Sequence, residues 1–262
     1  MNFKEWPLAL FTAIFQTAAG AAAAAFVFSP PAGSGFAVAV LALAALATLL
    51  SLFHLGRPVR SPRSIGNLGR SWLSREIVLL LTFDAIACAL AWTEAAGIPT
   101  GGILAAAAAI SGLACVFAMA RIYVLPAVPD WNSWRTPAAF YATAFVLGGM
   151  AASVYFRDGG LHKAVLAVLL AALGLDILSA PRFGWLVRRA TPLGFHPNPA
   201  WPAIFFGRLG LLALAALLWI PALVRPDASA GFSVVALGLA ALSEIIGRLQ
   251  FYDLPLGLSP RK

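Results

Sequence analysis

Apolar runs of about 20 residues recur along the whole chain, separated by short polar or glycine- and proline-rich breaks. A helix of that length rises about 30 Å, enough to cross the hydrocarbon of a bilayer. The pattern predicts an all-α membrane protein with eight transmembrane helices, near 7–28, 36–56, 75–95, 102–124, 136–156, 162–180, 203–223 and 231–252. Turn-forming stretches mark the breaks: "SPPAGSG" after the first run, "GIPTGG" after the third, "RDGG" after the fifth and "VRPDASAG" after the seventh. The sixth run is short and carries Asp176. An even number of spans places both termini on one side. No soluble domain, linker or internal repeat stands out, so residues 1–262 read as a single membrane domain.

Composition agrees. The chain is 61% hydrophobic and 11% charged, with a mean hydropathy of +0.88, against about 25% charged residues in an ordinary soluble domain. A net charge of +8 would suggest nucleic acid in a soluble protein. Here the basic residues lie in the breaks, and none of their runs alternates with stacking aromatics, so a nucleic-acid partner is excluded. Sorted by side, fifteen of the eighteen lysines and arginines share the face of the termini, and only Arg157, Lys163 and Arg225 lie opposite. By the positive-inside rule that basic face is cytoplasmic. Cys88 and Cys115 both fall inside apolar runs, without a CxxC or a nearby histidine, and read as inert core residues. The N-terminus has neither the basic region nor the cleavage site of a signal peptide, so Met1 is expected to begin the mature chain.

Charges within the spans narrow the function. Glu76 and Asp84 fall on span three, Arg121 on span four, Asp176 on span six, Arg208 on span seven, and Glu244 and Arg248 on span eight. Such residues are costly in lipid and tend to mark function. All of them fall in the cytoplasmic half. Glu244 and Arg248, spaced i, i+4, can pair along one helix face. A transporter working by alternating access would place polar groups near the midplane with paths to both sides, and that class stays open as an alternative. A one-sided acid–base cluster suits instead a hydrophobic ligand that arrives through lipid and exchanges protons with one compartment. Quinone, ubiquinone or menaquinone, is such a ligand. The histidines, His54, His162 and His196, form no facing pair of the kind that holds a membrane haem. Without haem, the quinone must lie close to a redox centre of another protein on the basic face.

Four blocks then carry a resemblance: "EWPLALFTAIFQTAAG", the loop "HLGRPVRS…NLGRSWLSREI", "ARIYVLPAVPDWNSWRTPAAFYATAFVLGG" and "SEIIGRLQFY". In this order, from about residue 5 to 252, they resemble the anchor subunit of dimethyl sulfoxide reductase, the DmsC family. The resemblance implies an eight-helix subunit of the bacterial cytoplasmic membrane, without haem. It would hold an iron–sulfur subunit and a molybdenum catalytic subunit, whose cofactors lie outside this chain, and exchange electrons with quinone. The family's quinol-site motif falls on His54, Arg60 and Glu76, with Tyr123 a further candidate. The charge distribution departs from the dimethyl sulfoxide-reducing members, which work on the outer face. It is closer to the sulfite-oxidising relatives, whose catalytic subunits stay in the cytoplasm and pass electrons to quinone. An S- or N-oxide reductase anchor running the opposite way remains the alternative.

Each candidate has a competing structural role. Glu76 would accept or relay quinone protons, or pair at the surface with a neighbouring arginine. His54 could hydrogen-bond a quinone carbonyl, being donor and acceptor when neutral, or simply cap helix carbonyls. Arg57 and Arg60 would orient quinone or Glu76, or serve topology and phospholipid headgroups. Tyr123, beside Arg121, is either a quinone contact or an interfacial belt residue, and the same holds for Trp72, Trp131 and Trp134. Trp6 and Pro7 read as an interfacial anchor and helix start. Asp84, Asp176, Glu244 and Arg248 read first as interhelical pairs and second as a proton path. The segment 181–202, "PRFGWLVRRATPLGFHPNPAWP", reads as a long polar loop docking the iron–sulfur subunit.

Overall fold

A computed structural model describes residues 5–28, 35–54, 67–100, 102–126, 128, 131–156, 158–190, 200–225 and 229–257, apart from the side chains of 53–54, 179–190 and 253–257. Among the described residues the protein forms eight α-helices and no strand: α1 (Trp6–Phe28), α2 (Phe36–His54), α3 (Trp72–Ala95), α4 (Ile103–Tyr123), α5 (Arg135–Tyr155), α6 (Gly159–Ala190), α7 (Trp201–Val224) and α8 (Ala230–Gly257). Seven are long and apolar enough to cross a membrane; α2 is apolar but shorter in its described part, Phe36–Leu52.

The helices begin where local chemistry starts them. Pro7 occupies the first turn of α1, where its missing N–H costs nothing. The Ser71 hydroxyl accepts the Ser74 N–H at 3.3 Å and caps α3. Asp158 does the same for α6, its carboxylate accepting the Leu161 N–H at 2.8 Å. Most helices are apolar on every side, as expected where lipid replaces water around a bundle.

α1 lies innermost, packed against α2, α4, α5 and α8. Lipid tails offer no hydrophobic drive for helix association, so close backbone approach and interhelical hydrogen bonds must hold the bundle. The α1–α5 crossing supplies the first. A methyl group on Gly148 would overlap the backbone of Gly20 and Ala21, and one on Gly20 would overlap the Ala144 carbonyl. Only glycine fits at that crossing. Around it pack Phe15, Phe83, Met119, Phe140 and Met150, each wholly buried.

Two sequence expectations change. The sixth apolar span, Gly159–Leu178, stops near its expected end, but the helix α6 continues to Ala190, so half of the segment read as a docking loop is helix. Its mixture of Phe183, Trp185, Leu186 and Val187 with Arg182, Arg188 and Arg189 is an amphipathic composition that permits this. Residues 191–199 lie outside the described residues. Cys115 is buried, but Cys88 is exposed on the outer surface of α3 rather than in the core.

Candidate functional site

The polar residues of the interior converge where the ends of α1, α3, α4, α5 and α8 meet. Five positions into α3, Glu76 turns inward and is only 7% exposed. Its backbone carbonyl receives the Cys115 thiol at 3.6 Å, which ties the start of α3 to α4. The adjacent Arg75 faces away. It donates to the carbonyls of Leu68 at 2.8 Å and Gly69 at 2.9 Å, and lies 4.2 Å above the Trp72 ring. The Arg121 guanidinium approaches the same ring at 5.3 Å. Neither arginine pairs with Glu76, whose carboxyl has no ion-pair or hydrogen-bond partner among the described residues.

At the same end of the bundle a cluster of aromatic rings centres on Tyr123, the last residue of α4. Its ring lies 5.3 Å from Trp131, 5.4 Å from Phe251 and 5.3 Å from Tyr252, with Phe140 at 5.8 Å. Trp131 stacks on Phe251 at 5.2 Å and donates its indole N–H to the Phe251 carbonyl at 3.1 Å. That contact fastens the α4–α5 connection to the end of α8. Trp134, three residues on, is 68% exposed and touches none of this.

Two polar rungs join α1 to α8. Nearer the helix ends, the hydroxyls of Thr12 and Tyr252 lie 3.4 Å apart. One turn deeper, Arg248 donates to the amide oxygen of Gln16 at 2.8 Å, to the Thr143 hydroxyl at 2.9 Å and to the Ala139 carbonyl at 3.4 Å. Its guanidinium also rests 3.7 Å above the Phe140 ring. Thr143 donates its own hydroxyl proton to a Glu244 carboxylate oxygen at 2.6 Å. Glu244 and Arg248 are thus joined through a threonine on α5 rather than by a direct pair along α8. A buried cation is tolerable only with such partners, because losing one leaves an uncompensated charge in hydrocarbon.

Beyond Glu244 the polar layer continues to α6 and α7. Asp176 and Arg208 form an ion pair with side chains 21% and 10% exposed, and the Ser243 hydroxyl donates to the Arg208 carbonyl at 2.9 Å. Asp84 stands apart, receiving the Thr48 hydroxyl at 2.7 Å between α2 and α3.

Of the residues singled out from sequence, the structure brings Glu76, Tyr123 and Trp131 into one neighbourhood, and it pairs Asp176 with Arg208. Arg57 and Arg60 lie outside the described residues, and His54 is described only as the last residue of α2. His162 is buried at the other end of the bundle, stacked 5.4 Å from Trp219, with Nδ1 2.6 Å from the Asp158 carbonyl oxygen. Gln16, Thr12, Thr143, Phe140 and Tyr252 belong to the site, although sequence reasoning misses them. Their only signal there is a neutral polar or aromatic residue inside an apolar run.

A carboxyl without a partner among the described residues, two phenols, a guanidinium and a set of aromatic faces form a donor and acceptor set that suits a flat, weakly polar ring with carbonyl or hydroxyl oxygens. The same set lacks the convergent histidines, cysteines or carboxylates of a metal centre among the described residues.

The family model described as "DMSO reductase anchor subunit (DmsC)" matches residues 1–254. The protein is 28% identical to the C subunit of the anaerobic dimethyl sulfoxide reductase of Escherichia coli K12, over 97% of its own length and 96% of that relative's. It is 26% identical to the anaerobic dimethyl sulfoxide reductase subunit YnfH of the same organism, over 97% and 95%. With the C subunit of the Haemophilus influenzae Rd enzyme it shares 29% identity over 44% of its length and 42% of the relative's.

Proposed function

Because the chain belongs to the DMSO reductase anchor subunit (DmsC) family, a family of multi-pass proteins of the bacterial inner membrane, we propose that it is the quinone-reactive anchor of a molybdenum and iron–sulfur oxidoreductase. It holds an iron–sulfur subunit and a molybdenum catalytic subunit at its basic face. Quinone supplies two-electron redox chemistry in the bilayer. The anchor itself contributes binding, orientation and protons, and no haem.

The observation that carries this reading is Glu76: a buried carboxyl without a partner among the described residues, close to the Tyr123–Tyr252 pair and at the end of the bundle where the basic loop begins. Holding an acid in a largely apolar interior is costly, and proton exchange with a ligand accounts for keeping one there. Glu76 holds or gives up a proton at its carboxyl. Tyr123 and Trp131 supply flat faces for the ring. His54, Arg57 and Arg60, from the start of the basic stretch of sequence that ends at Glu76, complete the oxygen contacts.

Orientation favours one class of catalytic partner over the other. Fifteen basic residues on the face of the termini favour a cytoplasmic catalytic subunit, and with it sulfite oxidation coupled to quinone reduction. The names of the relatives favour the second reading, an S-oxide reductase running on quinol. A reporter fused after Lys262, read together with the metals and activity of the co-purified complex, separates the two. Cytoplasmic signal with sulfite-dependent quinone reduction supports the first. Periplasmic signal with quinol-dependent dimethyl sulfoxide reduction supports the second. A protein that purifies alone, with no iron or molybdenum partner, contradicts both.

A further inference from the structure

Two carboxylates are less than a tenth exposed among the described residues: Glu76 on α3 and Glu244 on α8. Between them lie Tyr123, Tyr252 and Arg248. The Tyr123 and Tyr252 rings lie 5.3 Å apart, and Tyr252 follows Arg248 by one turn of α8. The Thr143 hydroxyl closes the far side, accepting from Arg248 at 2.9 Å and donating to Glu244 at 2.6 Å. Beside Glu244, the Ser243 hydroxyl donates to the Arg208 carbonyl of α7 at 2.9 Å, and Arg208 holds Asp176 of α6, the more exposed partner of that pair. The arrangement runs across the bundle from one acid to a second and then to a third that approaches the surface.

A separate feature lies on the same line. The Gln16 Nε2 and the Arg248 Nε are both buried donors without an acceptor. The amide of Gln16 cannot be reversed to cure this, because its oxygen must face the Arg248 N–H groups at 2.8 Å. Two neighbouring donors of this kind call for an acceptor oxygen, and a water molecule with its own lone pairs and protons is the smallest that serves.

We propose that Glu244 is a second proton-carrying residue of the quinone reaction, joined to Glu76 through the Tyr123–Tyr252 pair and water seated between Gln16 and Arg248, with Asp176 as its outlet. This rests on the function proposed above. Quinone reduction consumes two electrons and two protons. The electrons come from the iron–sulfur subunit, one proton passes through Glu76 and the other through Glu244, and both acids are recharged from water on the basic side. Quinol oxidation runs the same path backwards. Arg248 carries no proton; it orients Thr143 and Gln16 and balances the charge of Glu244. The groups facing Glu244 are Thr143 from α5, Arg248 from its own helix, and the Asp176–Arg208 pair from α6 and α7.

The test uses the assembled complex, purified with its partner subunits and reconstituted in liposomes. Glu244→Gln keeps an oxygen for the Thr143 hydroxyl and removes the titratable proton. The expected result is quinone turnover lowered about tenfold or more, with a larger solvent deuterium isotope effect. Affinity for a quinone analogue, read by tryptophan fluorescence, stays within about twofold of wild type. A carboxylic-acid band in the redox-induced infrared difference spectrum disappears, and Glu244→Asp restores most of the rate. Thr143→Val, which cuts the bridge and leaves the acid, should show the same enlarged isotope effect, and it keeps the test valid if Glu244→Gln fails to assemble. Turnover and isotope effect unchanged in both variants would overturn the inference, as would a parallel loss of rate and analogue affinity. A wild-type complex that neither binds the analogue nor exchanges electrons with quinone would instead overturn the proposed function itself.

Discussion

Replacing Gln16 by leucine tests how the interior is held together. Gln16 is fully buried, and its oxygen takes one of the Arg248 N–H groups at 2.8 Å. Leucine fills nearly the same volume, so packing around Phe15 and Phe140 should change little. Arg248 loses a charge-assisted hydrogen bond, worth about 1.5–3 kcal/mol, and is left with a donor facing hydrocarbon. Neutral interhelical hydrogen bonds in membranes contribute only about 0.6 kcal/mol on average. A cation has no such cheap alternative partner, so the destabilisation should be about 2–3 kcal/mol, roughly 30- to 150-fold in the folded population. Equilibrium unfolding of the purified protein in mixed micelles, followed by tryptophan fluorescence, measures it directly. The double variant Gln16→Leu/Arg248→Met should recover at least about 1 kcal/mol relative to the sum of the single changes, because both partners become apolar together. If Gln16→Leu costs less than about 0.5 kcal/mol, or the two changes simply add, the Gln16–Arg248 rung is not an organising contact.

Two further outcomes follow from the same packing. Gly148→Ala should lower stability by about 1–3 kcal/mol by forcing α1 from α5, whereas Gly174→Ala, with nothing near its added methyl, should be neutral or mildly stabilising; equal melting temperatures for the two would refute the close crossing. Asp176→Leu alone should destabilise by about 3 kcal/mol or more, because Arg208 is left buried without its partner, while Asp176→Leu/Arg208→Met should return most of that; the same unfolding assay decides, and a silent single variant would contradict the pair.

Much of the helical architecture is legible in the sequence, because lipid demands a run of apolar residues for each crossing and the breaks between runs are chemically plain. The end of α6 is not. A proline at 181 and the arginines after it look like a loop, yet the helix runs on to Ala190. Within the site, Glu76 stands out because an acid entering an apolar run is conspicuous, and Tyr123 because the resemblance to the DmsC family points to the tyrosine that follows Arg121. Gln16, Thr143 and Tyr252 carry no charge and break no pattern. Their importance exists only in the tertiary arrangement, where α1, α5 and α8 bring them to Arg248 from positions as far as 232 residues apart. The Glu244–Arg248 spacing does signal a link along one helix, but the threonine that mediates it comes from another element and no spacing rule reveals it.

The most direct test of the account is single-turnover electron transfer between the iron–sulfur clusters and quinone in the intact complex, followed by electron paramagnetic resonance after rapid freezing. In the wild type, added quinone or quinol should change the redox state of the clusters within the turnover time. In Glu76→Gln, with the clusters and their potentials intact, that exchange should slow about a hundredfold or more. Equal rates in the two would mean that the buried acid at the start of α3 has no part in quinone chemistry, and the account of this protein as the quinone-reactive subunit would fall.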